Sequence, residues 1–132
     1  MGAYIESDKT TYKVAAGASI KARDQISINA TGYAVPAPAP NTGVTGTVMG
    51  SAISDVDNSA GADGAAEVTV EHSQGRRTFM FAAGSLTIAD VGKAVYVGAN
   101  AKALSTTATN AVRSGTLVAI EDDGRARVLF TI

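Results

Sequence analysis

Asp55, Asp57, Asn58 and Asp63 crowd one short stretch, and oxygen-bearing side chains at that density are the first place to look for a hard cation such as Ca²⁺. The spacing argues against it. Counted from Asp55, a helix–loop–helix calcium loop needs Gly where Ala60 stands and a bidentate Glu where Ala66 stands. The expected reading is a solvated turn with Asx-type bonds to backbone amides, and no metal. His72 is the single histidine, with Glu71, Arg76 and Arg77 close in sequence. A general acid or base role needs a placed nucleophile, which this stretch lacks, so His72 reads as part of a charged strand end that keeps an edge soluble. Arg76 and Arg77 are too few for a nucleic-acid footprint; they read first as surface charge that keeps the chain soluble and, as the alternative, as contacts to a phosphate or an acidic partner surface. Gly43 to Gly50 carries no Lys-Ser/Thr ending and opens no helix, which excludes a phosphate loop. No serine sits in a nucleophile-elbow context. Catalytic residues and cofactors are therefore expected to be absent.

The elements that would position such residues read as all-β. The chain has 132 residues, the size of one domain. Hydrophobic residues make up 45% but only 5% are aromatic, with no Trp, so the core is built mostly from Ala and Val and is thin. Charged residues at 17% and a mean hydropathy of +0.12 argue against disorder. A formal charge of -1 and a pI near 5.7 provide no positive field for phosphate backbones, so nucleic acid is not an expected partner. With no Cys there is neither disulfide nor thiolate site. Met1 to Asp8 has no basic and then apolar pattern of a secretory signal, and no run reaches the ~18 apolar residues of a membrane helix.

Residues 1–15 read as an extended N-terminal arm and 16–132 as one β domain. Asp24 to Asn29 and Tyr33 to Val35 alternate around Thr31-Gly32 as a hairpin-like pair. Pro36 to Pro40 reads as an exposed polyproline spacer, Gly43 to Gly50 as a strand with bulges, and Ser54 to Gly64 as a loop. Val68, Val70, Phe79 and Phe81 predict a hairpin closed near Ser73 to Gly75 with all four side chains on one face. Thr87 to Lys93 predicts one helical turn, capped by Thr87 and stopped at Gly92. Ala94 to Val97 and Ala103 to Ser105 form a strand pair. A last hairpin turns through Asp122-Asp123-Gly124, with Glu121 opposite Arg125 and Val118 opposite Val128.

The order of four of these segments resembles the capsid cement, or head decoration, proteins of tailed bacteriophages. They are "ATGYAVPA" (Ala30 to Ala37), "ISDVDNSAGADGAAEVTVE" running into "RRTFMFA" (Ile53 to Ala82), "TIADVGKAVYV" (Thr87 to Val97) and "SGTLVAIEDDGRARV" (Ser114 to Val128). The resemblance implies a compact β-barrel or sandwich-like domain of short antiparallel strands, without enzymatic activity. It implies a virion protein on the outer capsid surface, made in the bacterial host cytoplasm, that bridges major capsid proteins and associates with copies of itself as a trimer or dimer. A tail-tube, neck or head-fibre subunit is the alternative. Nucleic acid and membrane are not implied partners. Expected capsid or subunit contacts are Tyr4, Ile5 and Tyr12 on the arm, where Tyr supplies large area at low rotamer cost, together with Asp57, Arg76 and Arg77 on loops.

Overall fold

A computed structural model describes residues 8–42, 45–74 and 76–132. It is all-β. In chain order the strands are β1 (Lys9–Lys13), β2 (Ser19–Ile20), β3 (Gln25–Ile28), β4 (Ala34–Pro36), β5 (Gly46–Thr47), β6 (Gly50–Ala52) and β7 (Val56–Asp57). They are followed by β8 (Glu67–Glu71), β9 (Phe79–Ala82), a 3-10 turn at Ile88–Asp90, β10 (Ala94–Val97), β11 (Leu104–Ser105), β12 (Val112–Ile120) and β13 (Arg125–Phe130). Burial alternates with period two along β8 and β13, as a strand with one face on a core requires.

Two larger sheets carry the fold. The first runs β1-β8-β6-β3-β4 and is wholly antiparallel. It curls until its two edges meet at one parallel bridge, Val14 to Ala34, without closing a continuous barrel ladder. Ile20, Ile26, Val68 and Val70 fill its interior. The second runs β11-β10-β12-β13-β9, with β5 added parallel to β12, and covers a core containing Phe81, Leu117, Val128 and Phe130. β2 and β7 make a separate two-stranded ribbon.

Glycine is required where strands come closest. A Cβ on Gly115 would stand 1.9 Å from the Leu129 carbonyl oxygen, and one on Gly50 would stand 2.0 Å from that of Glu71. Both contacts are with backbone, which has no rotamer by which to move aside.

The β3–β4, β10–β11 and β12–β13 pairs form as the sequence predicts, and Asp90 accepts the Thr87 N–H at 2.9 Å to cap the helical turn. Five expectations are corrected. β8 and β9 are not a hairpin: β8 lies between β1 and β6, while β9 pairs with β13 in the other sheet. The chain crosses between sheets at the buried His72 and Ser73, whose N–H groups bond to Asp8 O at 2.7 Å and Ile132 O at 2.8 Å. Val68 and Val70 therefore enter one core and Phe81 the other. In the last hairpin a bulge after Leu117 puts Leu117, not Val118, opposite Val128: Ala119 and Ile120 keep the register set by the turn, and the extra residue displaces Leu117 and the β12 residues before it by one. The proline segment is not a free spacer, since Pro36 pairs with Ile26 on the edge strand and Ala37 is buried, its N–H on Gln25 O at 2.7 Å. Gly46 to Ala52 forms two short strands in different sheets rather than one, and Gly43 and Val44 lie outside the described residues. Finally, the 54–64 stretch includes β7 and the buried Asn58, whose Nδ2 donates to the carbonyls of Ala15 and Ala62, each at 2.9 Å.

Candidate functional site

The carboxylates that suggested a cation are each taken by backbone. Asp55 accepts the Ala22 N–H and Asp63 the Ala16 N–H, both at 2.7 Å, so each ties a distant loop to this stretch. Asp57 accepts the Ser59 N–H at 2.9 Å, and bonds from Ser59, the side chain first and then the backbone, hold its carboxyl below the ordinary Asp value. Among the described residues no three His, Asp or Glu side chains gather as metal ligands.

His72 is not at an exposed strand end, as its charged neighbours had suggested, but 5% exposed. Its Nδ1 lies 2.6 Å from Met49 O and its Nε2 2.6 Å from Thr10 Oγ1. A carbonyl only accepts, so Nδ1 carries the proton and donates; in the neutral ring Nε2 then accepts from the Thr10 hydroxyl. Tyr12 stands edge-on to the ring at 6.3 Å between centroids. The ring joins β1 to the segment ahead of β6 at the crossing between sheets. Neither partner was legible beforehand, since Thr10 and Met49 are 62 and 23 residues away in sequence.

The six expected contact residues are not brought to one face. Tyr4 and Ile5 lie outside the described residues. Tyr12, assigned to a free arm, belongs to β1, which pairs along its whole length with β8, and packs against the first sheet's own core. Asp57 is in the β2–β7 ribbon. Arg76 is exposed, while Arg77 pairs with Asp8 at 3.0 Å and with Glu71.

Two other surfaces have the shape of interaction sites. One is a groove of about 500 Å³ between the sheets, with Arg23, Ile53 and Glu71 on one wall and Phe79, Met80 and Phe81 on the other. Arg23 holds φ +72, a left-handed backbone that non-glycine residues rarely adopt, and its N–H is fixed on Ala52 O at 2.7 Å. The other is an apolar shoulder. Ile88 is 80% exposed, Val91 40% and Val118 42%. Gly92 N–H donates to Leu117 O at 2.7 Å, which brings the main chain next to Val91 against the main chain next to Val118. Val118 is the extra residue of the β12 bulge, which the sequence pattern does not signal. Comparison with family models, curated proteins and solved structures found no match.

Proposed function

We propose that this chain is a non-enzymatic structural protein of a tailed-phage particle, one that binds the outer surface of the assembled head and stabilises it by bridging major capsid proteins. The observation that carries the reading is the shoulder of Ile88, Val91 and Val118. All three residues fall within the two segments, Thr87 to Val97 and Ser114 to Val128, on which the resemblance to cement proteins rests. Clustered exposed aliphatic side chains on a rigid β scaffold suit a protein partner better than a small substrate. Copies of the chain associate on the head, as trimers in the first instance. Because such a protein binds only the assembled state, its stabilisation of that state follows from mass action.

The test is reconstitution on heads that lack the protein. Decorated heads are expected to retain DNA to a higher temperature than bare ones. The Val118→Asp variant, with an unchanged melting curve of its own, is expected to bind at least about tenfold more weakly, the equivalent of about 1.4 kcal/mol. Identical DNA-release curves for bare and decorated heads would end the proposal. Imaging of the added protein at the neck or tail would favour the tail-tube or neck subunit instead.

A further inference from the structure

β1, β4, β11 and β9 end the two larger sheets, and the first three are poor templates for an added strand. β1 carries Lys9 and Lys13 and is drawn towards the opposite edge by the Val14 to Ala34 bridge, β4 ends in Pro36, and β11 is only Leu104–Ser105. β9, Phe79–Ala82, has neither charge nor proline, and among the described residues it bonds only to β13. Glu121 N–H donates to Arg125 O at 2.8 Å, so the main chain of Arg125 turns towards the β12 side and that of Ala126 and Val128 towards β9. Phe81 stands opposite Ala126 and Phe79 opposite Val128, which commits their main-chain groups to β13. The N–H and C=O groups of Met80 and Ala82 point the other way, on the edge that borders the groove.

We propose that this edge receives one extended segment of a partner protein, an apolar stretch with an acidic residue whose carboxylate sits on Arg23. The far wall of the groove is the first sheet, with Arg23, Ala52 and Ile53 across from Phe79 and Met80. A strand added to β9 lies about 4.8 Å from it. A lone segment fits that place, whereas the sheet edge of a second copy would carry its own next strand onto the wall. Ile53 is 46% exposed although large and apolar, and with Met80 it offers apolar contact to alternate side chains of the segment. The charges select the acid. Of the three charged side chains lining the groove, Glu71 is taken by Arg77 and Arg125 by Asp123. Arg23 is exposed and has no ion pair among the described residues. Its backbone holds φ +72 with the N–H on Ala52 O at 2.7 Å, so the chain is pinned where the side chain leaves it. A guanidinium takes a carboxylate through two parallel N–H bonds, which suits a partner acid at this point. This inference does not depend on the capsid reading.

Two measurements on the full chain test it, with the end-blocked peptide Thr-Val-Glu-Val-Thr-Val as the probe at millimolar concentration. In amide hydrogen exchange the Met80 and Ala82 amides are expected to be fast in the chain alone and at least about tenfold slower with the peptide, while Phe79 and Phe81, bonded to β13, change little. In a fluorescence-polarisation titration the same peptide with Gln in place of Glu is expected to bind at least about fivefold more weakly, and Arg23→Gln to bind the two peptides equally. Should Arg23→Gln fail to fold, the peptide pair on the parent chain still decides. Unchanged Met80 and Ala82 exchange with the peptide overturns the proposal, as does equal affinity of the parent chain for the two peptides. Met80 and Ala82 amides already slow in the chain alone also overturn it: protection that grows with protein concentration puts a second copy on the edge, and protection independent of concentration puts another part of this chain there.

Discussion

The core beneath the C-terminal sheet contains Phe81 and Phe130, with Phe79 against them, whereas inside the curled N-terminal sheet the largest fully buried side chains are Ile20 and Ile26. Phe79 and Phe130 lie 4.8 Å apart between centroids and Phe81 and Phe130 6.0 Å, so one ring is shared by two contacts. The aliphatic core compensates with topology: the Val14 to Ala34 bridge draws its edges together around few side chains. The two cores are joined by polar groups. Gln25, fully buried in β3, donates from Nε2 to Ala101 O at 3.2 Å and Ala103 O at 3.1 Å, and its Oε1 accepts from the Ser114 hydroxyl of β12. His72 holds the other crossing. A small protein with scarce aromatics thus concentrates them in one core and fastens the second to it with satisfied hydrogen bonds.

The largest effect is expected where one side chain serves most contacts. Phe130→Ala should cost about 3–5 kcal/mol, and Ile26→Ala should fall in the lower part of about 2–5 kcal/mol, since a curled sheet can close on a smaller void. Both should move a single calorimetric transition, because Gln25 makes the cores open together. Two resolved transitions in Ile26→Ala would show the cores to be independent units.

The pin itself is the next test. Gln25→Leu keeps the volume but leaves the buried Ser114 hydroxyl without its acceptor, a loss of about 1–3 kcal/mol. The double variant Gln25→Leu with Ser114→Ala should recover part of that loss, because removing both partners is cheaper than removing one. Denaturant melts of the four-member cycle read the coupling directly. A double variant as unstable as the sum of the singles would mean that the bond contributes nothing beyond packing.

How much of this arrangement was readable in advance follows the range of the interactions. The local pairs, β3–β4, β10–β11 and β12–β13, were legible because a turn residue and its flanking alternation lie within a few positions. The β8–β9 pair failed on the same logic: Val68, Val70, Phe79 and Phe81 do alternate, but alternation says that a residue is buried, not in which core. The polar pins were invisible, since Gln25 meets Ser114 across 89 residues. Of the site, the carboxylate turn was legible as a turn, while the groove needs both sheets in place and the shoulder needs the bulge at Val118.

Ser27 sharpens the comparison in the opposite sense. It is 1% exposed on β3, and its hydroxyl finds no partner among the described residues, unlike that of Ser114 across the seam. Burying an unbonded hydroxyl is unfavourable, so Ser27→Ala should leave stability unchanged or raise it by up to about 1 kcal/mol. A loss of more than that in a urea melt would reveal a partner for this oxygen.

The smallest effect belongs to acid. Asp57, Asp90 and Asp123 all sit below the ordinary Asp value of 3.8: Asp57 through bonds from Ser59, Asp90 through the Thr87 backbone N–H, and Asp123 through the Arg125 side chain. Each is lowered in the folded chain relative to the unfolded one, so the unfolded state binds more protons as pH falls through 3.8. The stability these groups contribute is complete above that pH and is lost as it falls through their folded values. Asp57 and Asp123 are solvent-exposed and Asp90 is half-buried at the surface, so the loss is slight and shrinks with salt. Two of them, Asp90 and Asp123, lie on the C-terminal sheet's side of the molecule, in the turn before β10 and the turn before β13. Asp90→Asn should therefore flatten the acid limb of the melting-temperature profile below pH 4 and leave the profile at pH 7 nearly parallel to that of the parent chain. If Asp57→Asn flattened it more than Asp90→Asn and Asp123→Asn combined, acid sensitivity would belong to the β2–β7 ribbon and the aliphatic core beside it, and the aromatic core would be the half that withstands acid.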